Sequence, residues 1–285
     1  MGNRTSQFAG TSAKKGNKDN PLVSVITPVL NGAKYLEECL QSVLNQSYPY
    51  IEHVIVDGGS TDGTLDILSS YQAKHPDRVR FISKPGQGIG EAMNNSIRMA
   101  KGKIFGSINA DDFYELDAVQ TVVEFFRANP GAYFVFGGCN IIDEKGKIIG
   151  RSKPKDFDLK EMINETNCIP SPSAFYKREV TEKVGWFETS IGSDRDYWIR
   201  VGMIFPIRRI EEVLSSFRVH PGSATTGSST EIRRMHIRAN YVITRQYGGS
   251  IFSPFCKRYY KFLIIEGLRP ILGFAYPLIR KVLRK

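Results

Sequence analysis

Between Pro21 and Ile108 the chain alternates short β-rich runs with amphipathic stretches, and nothing else in the sequence restricts its fold as strongly. Residues 22–27, 51–56, 79–82 and 104–108 are apolar, β-branched runs of strand length. Between the first two, Tyr35, Leu36, Cys39, Leu40, Val43 and Leu44 recur at helical spacing. Leu65, Ile67, Leu68 and Tyr71 do the same in the second interval, and a third helix is expected over 89–100, closed by Gly102. Strand–helix repetition requires right-handed crossovers, and hence a largely parallel sheet covered on both faces. After Asp112 the period changes. A helix is expected over 116–128, a strand over 132–136, a hairpin over 141–149 turning at Glu144-Lys145-Gly146, and a strand over 213–219. The expected class is α/β, Rossmann-like: a mostly parallel mixed sheet flanked by helices.

With 285 residues the chain has room for one large α/β domain and an appendage, or for two small domains. Its charge separates the two. Residues 231–285 hold twelve Lys/Arg against Glu231 and Glu266, which accounts for the whole net charge of +10. The expected division is a disordered leader over 1–20, a domain over 21–226 and a basic, amphipathic, helical extension over 231–285, the boundary falling in the Gly/Ser/Thr-rich loop 222–230. The leader has no apolar run, so it is not a signal peptide. Cys39, Cys139, Cys168 and Cys256 form neither a metal-ligand spacing nor a disulfide framework, and a reducing compartment is expected. In the extension the charge-free run 270–279 is far short of the roughly 20 residues that span a bilayer. A basic, aromatic, amphipathic tail suits an anionic membrane surface. The alternative is a helix packed on the domain or in a dimer interface.

In an open parallel sheet, ligands sit outside the carboxyl ends of the strands. Four segments would meet there: Pro28-Val29-Leu30-Asn31, Asp57-Gly58-Gly59-Ser60, Lys84-Pro85-Gly86 and Asn109-Ala110-Asp111-Asp112. Asp57 can hydrogen-bond a ribose or base while the glycines admit the ligand; equally, Thr61 or Asp62 can cap the next helix. Adjacent aspartates at a strand end are costly unless something positive binds, and a divalent cation carrying a nucleotide diphosphate fits; the competing role is an N-cap near Leu116. Gly86-Gln87-Gly88-Ile89-Gly90-Glu91 places Glu91 where a dinucleotide fingerprint needs glycine, and stands in the third crossover, so NAD binding is rejected. Asp194, at an expected helix start, is either a cap or a carboxylate general base. His220, between a strand and a loop, is either structural or a ligand to metal or phosphate.

Taken in order, these segments resemble the family 2 glycosyltransferases of GT-A fold, most closely bacterial members that build cell-surface polysaccharides. The resemblance runs from Leu22 to Thr226. Its motifs are Val25-Ile26-Thr27-Pro28-Val29-Leu30-Asn31, Val56-Asp57-Gly58-Gly59-Ser60-Thr61-Asp62-Gly63-Thr64, Gly88-Ile89 with Ala92-Met93-Asn94, Lys101-Gly102, Asn109-Ala110-Asp111-Asp112, Ser193-Asp194 and Phe217-Arg218-Val219-His220-Pro221-Gly222-Ser223. It implies that Thr27, Pro28, Asn31, Asp57, Gly59, Asn94 and Asp111 bind the nucleotide sugar, with Asp57 at the base and Asp111 at the ribose. It implies Asp112 and His220 as ligands of Mn²⁺ or Mg²⁺, and Asp194 as catalytic base. Three positions depart from the commoner pattern: Gly58 for a second aspartate, Met93 for an arginine, and Asn109 for the first acid.

What the resemblance implies is an inverting, metal-assisted single displacement. It would move sugar from a nucleotide-diphosphate donor, UDP foremost, to a hydroxyl of a saccharide or lipid-linked saccharide. The expected location is cytoplasmic, peripheral on the inner membrane through the tail. A polyprenyl-phosphate sugar synthase would share the core. A nucleotidyltransferase would need a Gly-rich basic loop after the first strand, which is missing. A nucleic-acid binder would explain the basic tail but not the strand-end motifs, so no nucleic-acid partner is expected.

Overall fold

A computed structural model describes residues 20–152, 154–165, 169–189, 192–223 and 230–272. The expected leader apart from Asn20, most of the 222–230 loop, Cys168 and the end of the tail at 273–285 lie outside the described residues.

The alternating half forms as the periodicity predicts: β1 (Val23–Val29), α1 (Ala33–Leu44), β2 (Ile51–Asp57), α2 (Thr64–Lys74), β3 (Val79–Ser83), α3 (Ile89–Met99) and β4 (Ile104–Ser107). Then come β5 (Phe113–Tyr114), α4 (Ala118–Ala128), β6 (Phe134–Ile142), β7 (Ile148–Ser152), α5 (Leu159–Asn164), a 3₁₀ turn Ser171–Ser173, β8 (Ala174–Lys177), α6 (Arg178–Val184), α7 (Ser193–Gly202), β9 (Ile207–Arg218), α8 (Thr230–Gln246) and α9 (Pro254–Leu272). One sheet runs β3-β2-β1-β4-β8-β6-β9-β5, with β7 hairpinned onto β6. The strands β3, β2, β1 and β4 are mutually parallel; β8 enters antiparallel between β4 and β6, and β9 runs parallel to β6.

Strand alternation distributes the core over two faces. Val25 packs with Cys39, Val43 and the α4 residues Val119 and Val122 on one side. Ile26 faces the other way, among Met93, Ile97, Phe105 and Trp198. Every residue of β1 is buried, as a central strand covered on both faces must be.

Several elements depart from the expectation: the strand expected over 132–136 and the first arm of the hairpin expected over 141–149 form one continuous strand, β6, and α5 and α6 carry no anticipated pattern. The helix after the aspartates starts at Ala118, and the two-residue β5 intervenes, pairing Phe113 with Ser216 of β9. β8 is a short buried run that carries no periodic signal. β9 begins at Ile207 rather than 213, since its first half is masked in sequence by Arg208, Arg209, Glu211 and Glu212.

The helices of the basic extension pack together and onto the domain. Tyr241 of α8 stacks on Tyr259 of α9 at 4.1 Å, and Arg234 pairs with Glu266 at 2.8 Å. The buried Arg195 of α7 donates to the carbonyls of Met162, Ile163 and Asn240 and lies 4.1 Å over the Phe255 ring. No described helix is long and apolar enough to cross a membrane.

Candidate active site

The carboxyl ends of β1 and β4, with the loops after β2 and β3, open onto one cavity of about 1400 Å³. Pro28, Asn31, Asp111, Asp194 and His220 all border it. Five of the ten residues expected at the site thus border the cavity: Pro28, Asn31 and Asp111 from the strand-end segments, and Asp194 and His220 from later in the chain. The others lie just behind the wall, each engaged by a partner that the sequence does not reveal.

The first two loops are tied together. Asn31 adopts a left-handed φ of 52°, which asparagine tolerates; its N–H donates to Ser60 Oγ at 2.7 Å and its Oδ1 accepts from Thr61 N at 2.9 Å. Asp62 accepts from Thr64 N at the start of α2 and from Ala33 N at the start of α1. One carboxylate thus serves two helix N-termini, which extends the capping role expected of it.

Asp57 does not reach the cavity. Its fully buried carboxylate accepts from Gly59 N, Ser60 N, and the hydroxyls of Ser60 and Ser83. Desolvation pushes this carboxyl up, but the Ser60 and Ser83 hydroxyls and the Gly59 and Ser60 N–H groups outweigh it and hold it below its ordinary value. Gly59 (φ +99°) lets the loop lie on Pro85, where a Cβ would sit 2.9 Å from Pro85 Cα. Thr27 is a buried residue of β1, its Oγ1 2.8 Å from His53 Nε2. Asn94 is buried in α3 and exchanges two hydrogen bonds with the backbone of Phe187, at 2.8 and 2.9 Å. It fixes the segment that leads to Asp194.

Of the two aspartates expected at the site, only Asp111 borders the cavity. Asp112, 1% exposed, is off the cavity wall; its carboxylate accepts from Arg218 N at 2.9 Å and from Asn109 Nδ2 at 3.0 Å. Burial and the charge of Asp111 push the Asp112 carboxyl well up from its ordinary value. Asp111 is the carboxylate on the wall, with Oδ2 3.0 Å from His220 Nε2. Asn109, standing in place of an acid, supplies a donor to Asp112.

Neither the aspartate pair nor Asp194 occupies an N-cap position, although Asp194 does accept from a first-turn N–H of α7. α4 is preceded by Asp117, whose side chain makes no capping bond, and α7 follows Gly192. Asp194 instead accepts from Ser171 Oγ at 2.6 Å and from Arg195 N at 2.8 Å, and so presents an oriented carboxylate to the cavity.

Several residues escaped sequence reasoning. Arg218, 2% exposed, pairs with Glu38, donates to the carbonyls of Asp111, Asp143 and Glu144, and lies 4.6 Å over the Tyr35 ring. Tyr35 in turn packs 5.0 Å from the His220 ring. An arginine within an apolar strand, two residues before the histidine, was the available signal. Ser171, between two prolines, was another. Ile232, Met235 and His236 of α8 also line the cavity, which brings the extension into the site.

Asp111 and His220 offer a hard oxygen and an imidazole nitrogen within contact distance of each other. Among the described residues, no group of three or more His, Cys, Asp or Glu converges. That set fits Mg²⁺ or Mn²⁺, which bind through one or two protein ligands and complete their shell with phosphate oxygens and water.

The sequence profile of Glycosyl transferase family 2 matches residues 24–185. Chondroitin synthase of Escherichia coli is 32% identical over 219 residues, which cover 76% of this chain and 31% of that protein. The chain thus spans about a third of that relative's length. Among solved structures, S. aureus TarS 1–349 in complex with UDP-GlcNAc aligns with a TM-score of 0.61 at 18% identity, covering 89% of this chain and 73% of that one. Mannosyltransferase PcManGT from Pyrobaculum calidifontis, in complex with GDP-Man and Mn²⁺, gives 0.60 at 20% identity, covering 92% and 79%. At these identities the structures share the fold.

Proposed function

Because the chain belongs to glycosyl transferase family 2 and has the GT-A fold, we propose that its cavity transfers a sugar from a nucleotide-diphosphate donor to a saccharide hydroxyl in polysaccharide synthesis, with inversion at the anomeric carbon. The observation that carries this reading is the meeting of Asp111, His220 and Asp194 on one cavity at the strand ends.

Asp111 and His220 would hold a divalent cation, which when bound offsets the charge developing on the departing diphosphate. The metal role assigned to Asp112 from sequence thus passes to Asp111, and Asp112 keeps the loop in place. Pro28 and Asn31 border the donor, while Asp57 and Gly59 shape the loop beneath it. Asp194, oriented by Ser171 Oγ and Arg195 N, removes the proton from the acceptor hydroxyl. The freed oxygen attacks the anomeric carbon from the face opposite the diphosphate. The bond to the leaving oxygen breaks, and Asp194 holds the proton. Support for the donor class comes from UDP-GlcNAc and GDP-Man in structures of the same fold, and for the cation from Mn²⁺ in one of them. The acceptor would be a saccharide or a lipid-linked saccharide.

The test pairs Asp194→Asn with a screen of UDP-, GDP- and dTDP-sugars in Mn²⁺. The variant should bind donor with wild-type affinity by calorimetry while transfer falls by about 100- to 10,000-fold. Wild-type transfer by Asp194→Asn would overturn the assignment.

A further inference from the structure

The face of α9 that turns away from the domain carries apolar and cationic side chains on a single stripe. Lys257, Tyr260, Lys261 and Ile264 recur at i, i+3, i+4 and i+7, so they share one side of the helix, and all four are exposed. The turn before α9 adds Ile251 and Phe252, the latter 72% exposed. The opposite face is already occupied: Phe255, Cys256 and Phe262 are buried, and Phe255 lies under the Arg195 guanidinium. Large exposed apolar side chains gathered in one segment mark an interaction surface.

Charge selects the partner. All the net positive charge of the molecule lies in residues 231–285, and the rest sums to zero. The core of a protein interface is depleted in lysine. A layer of anionic lipid headgroups accommodates both chemistries at once: apolar tips enter the acyl boundary while ammonium groups stay at the phosphates on their flexible stems.

We propose that the outer stripe of α9 and the Ile251-Phe252 turn dock the protein on an anionic lipid surface. The consequence for catalysis rests on the glycosyl-transfer reading, whereas the docking itself does not. Ile232, Met235 and His236 of α8, packed on α9, line the substrate cavity, so the docking hairpin is also a wall of that cavity. Lipid contact would bring the cavity to the surface on which a lipid-linked acceptor resides.

The experiment is flotation of the full chain with vesicles of phosphatidylcholine alone or mixed with phosphatidylglycerol, without donor. The wild type should float with the anionic vesicles and not with the neutral ones. Lys257→Ala/Lys261→Ala should lower partitioning about thirty-fold, and Ile251→Ser/Phe252→Ser at least about tenfold. Both variants should keep the wild-type Tm and wild-type transfer to a soluble acceptor. Unchanged flotation of either double variant, or equal binding to neutral vesicles, would overturn the proposal. So would a wild-type dimer, by sedimentation, that Ile251→Ser/Phe252→Ser dissociates, or a preference for random RNA over anionic vesicles. Docking without turnover of any nucleotide sugar would leave this inference standing and remove the catalytic one; turnover without docking would do the reverse.

Discussion

Asp111 and Asp112 share a peptide bond and have opposite environments, so equal substitutions should have unequal effects. Asp111→Asn removes a charge from the cavity wall and should lower metal-supported transfer by at least about 100-fold while leaving the Tm unchanged. Asp112→Ala strips acceptors from the Arg218 N–H and the Asn109 amide and should cost about 1–3 kcal/mol in urea unfolding. A Tm lowered by the first and not by the second would reverse the reading. His53 makes a different prediction. Burial, helped by nearby Arg78, pushes its imidazole down to about 3. The unfolded chain takes up that proton near pH 6.5. Between those values the unfolded state binds one proton more, so stability falls as pH falls through this window. From pH 7 to pH 5, His53→Gln should lose about 2 kcal/mol less stability than the wild type, as read from urea midpoints at the two pH values.

Among the elements, the glycines of the second crossover offer a controlled comparison. Gly59 and Gly63 both have φ above +90°, but an added Cβ meets Pro85 at the first and nothing described within 4 Å at the second. Gly63→Ala should cost about 1 kcal/mol for backbone strain, and Gly59→Ala about 2–3 kcal/mol, measured by denaturant unfolding. The same contrast shows what was readable in the sequence. The four alternating strands and three helices were legible because burial on both faces writes an apolar run between helical periods. β5 is too short to carry a period, β8 is a buried run of four, and the first half of β9 is disguised by ion-paired surface charges such as Arg209 with Asp156. At the site, the segments were legible and the side-chain directions were not. Thr27, Asp57, Asn94 and Asp112 stand in the expected segments, yet their orientation is set by His53, Ser83, Phe187 and Arg218, which come from elsewhere in the chain.

For the whole molecule, Arg195, the residue after the proposed base, is one of the contacts that join the catalytic domain to its basic extension, beside Tyr247 on Asp196 and Thr244 on Ile163. Arg195→Leu removes the guanidinium donors to the carbonyls of Met162 and Asn240, leaves Ile163 O with Thr244 Oγ1 alone, and removes the cation over Phe255. Amide exchange followed by mass spectrometry should then accelerate in α8 and α9 while β1 and β2 keep wild-type protection; uniform acceleration would mean that the extension is not a separable unit. The far-reaching arrangement around Arg218 also has a consequence in time. Its partners Glu38 and Asp111 precede it by 180 and 107 residues, and its N–H is a donor that Asp112 must await. During synthesis, at about 5–20 residues per second, the parallel strands emerge many seconds ahead of this arginine. The aspartate loop therefore has no reason to hold its final shape until β9 arrives. On the proposed reading, competence to take up a cation would be a late event in the life of the chain, acquired after the sheet that carries the site.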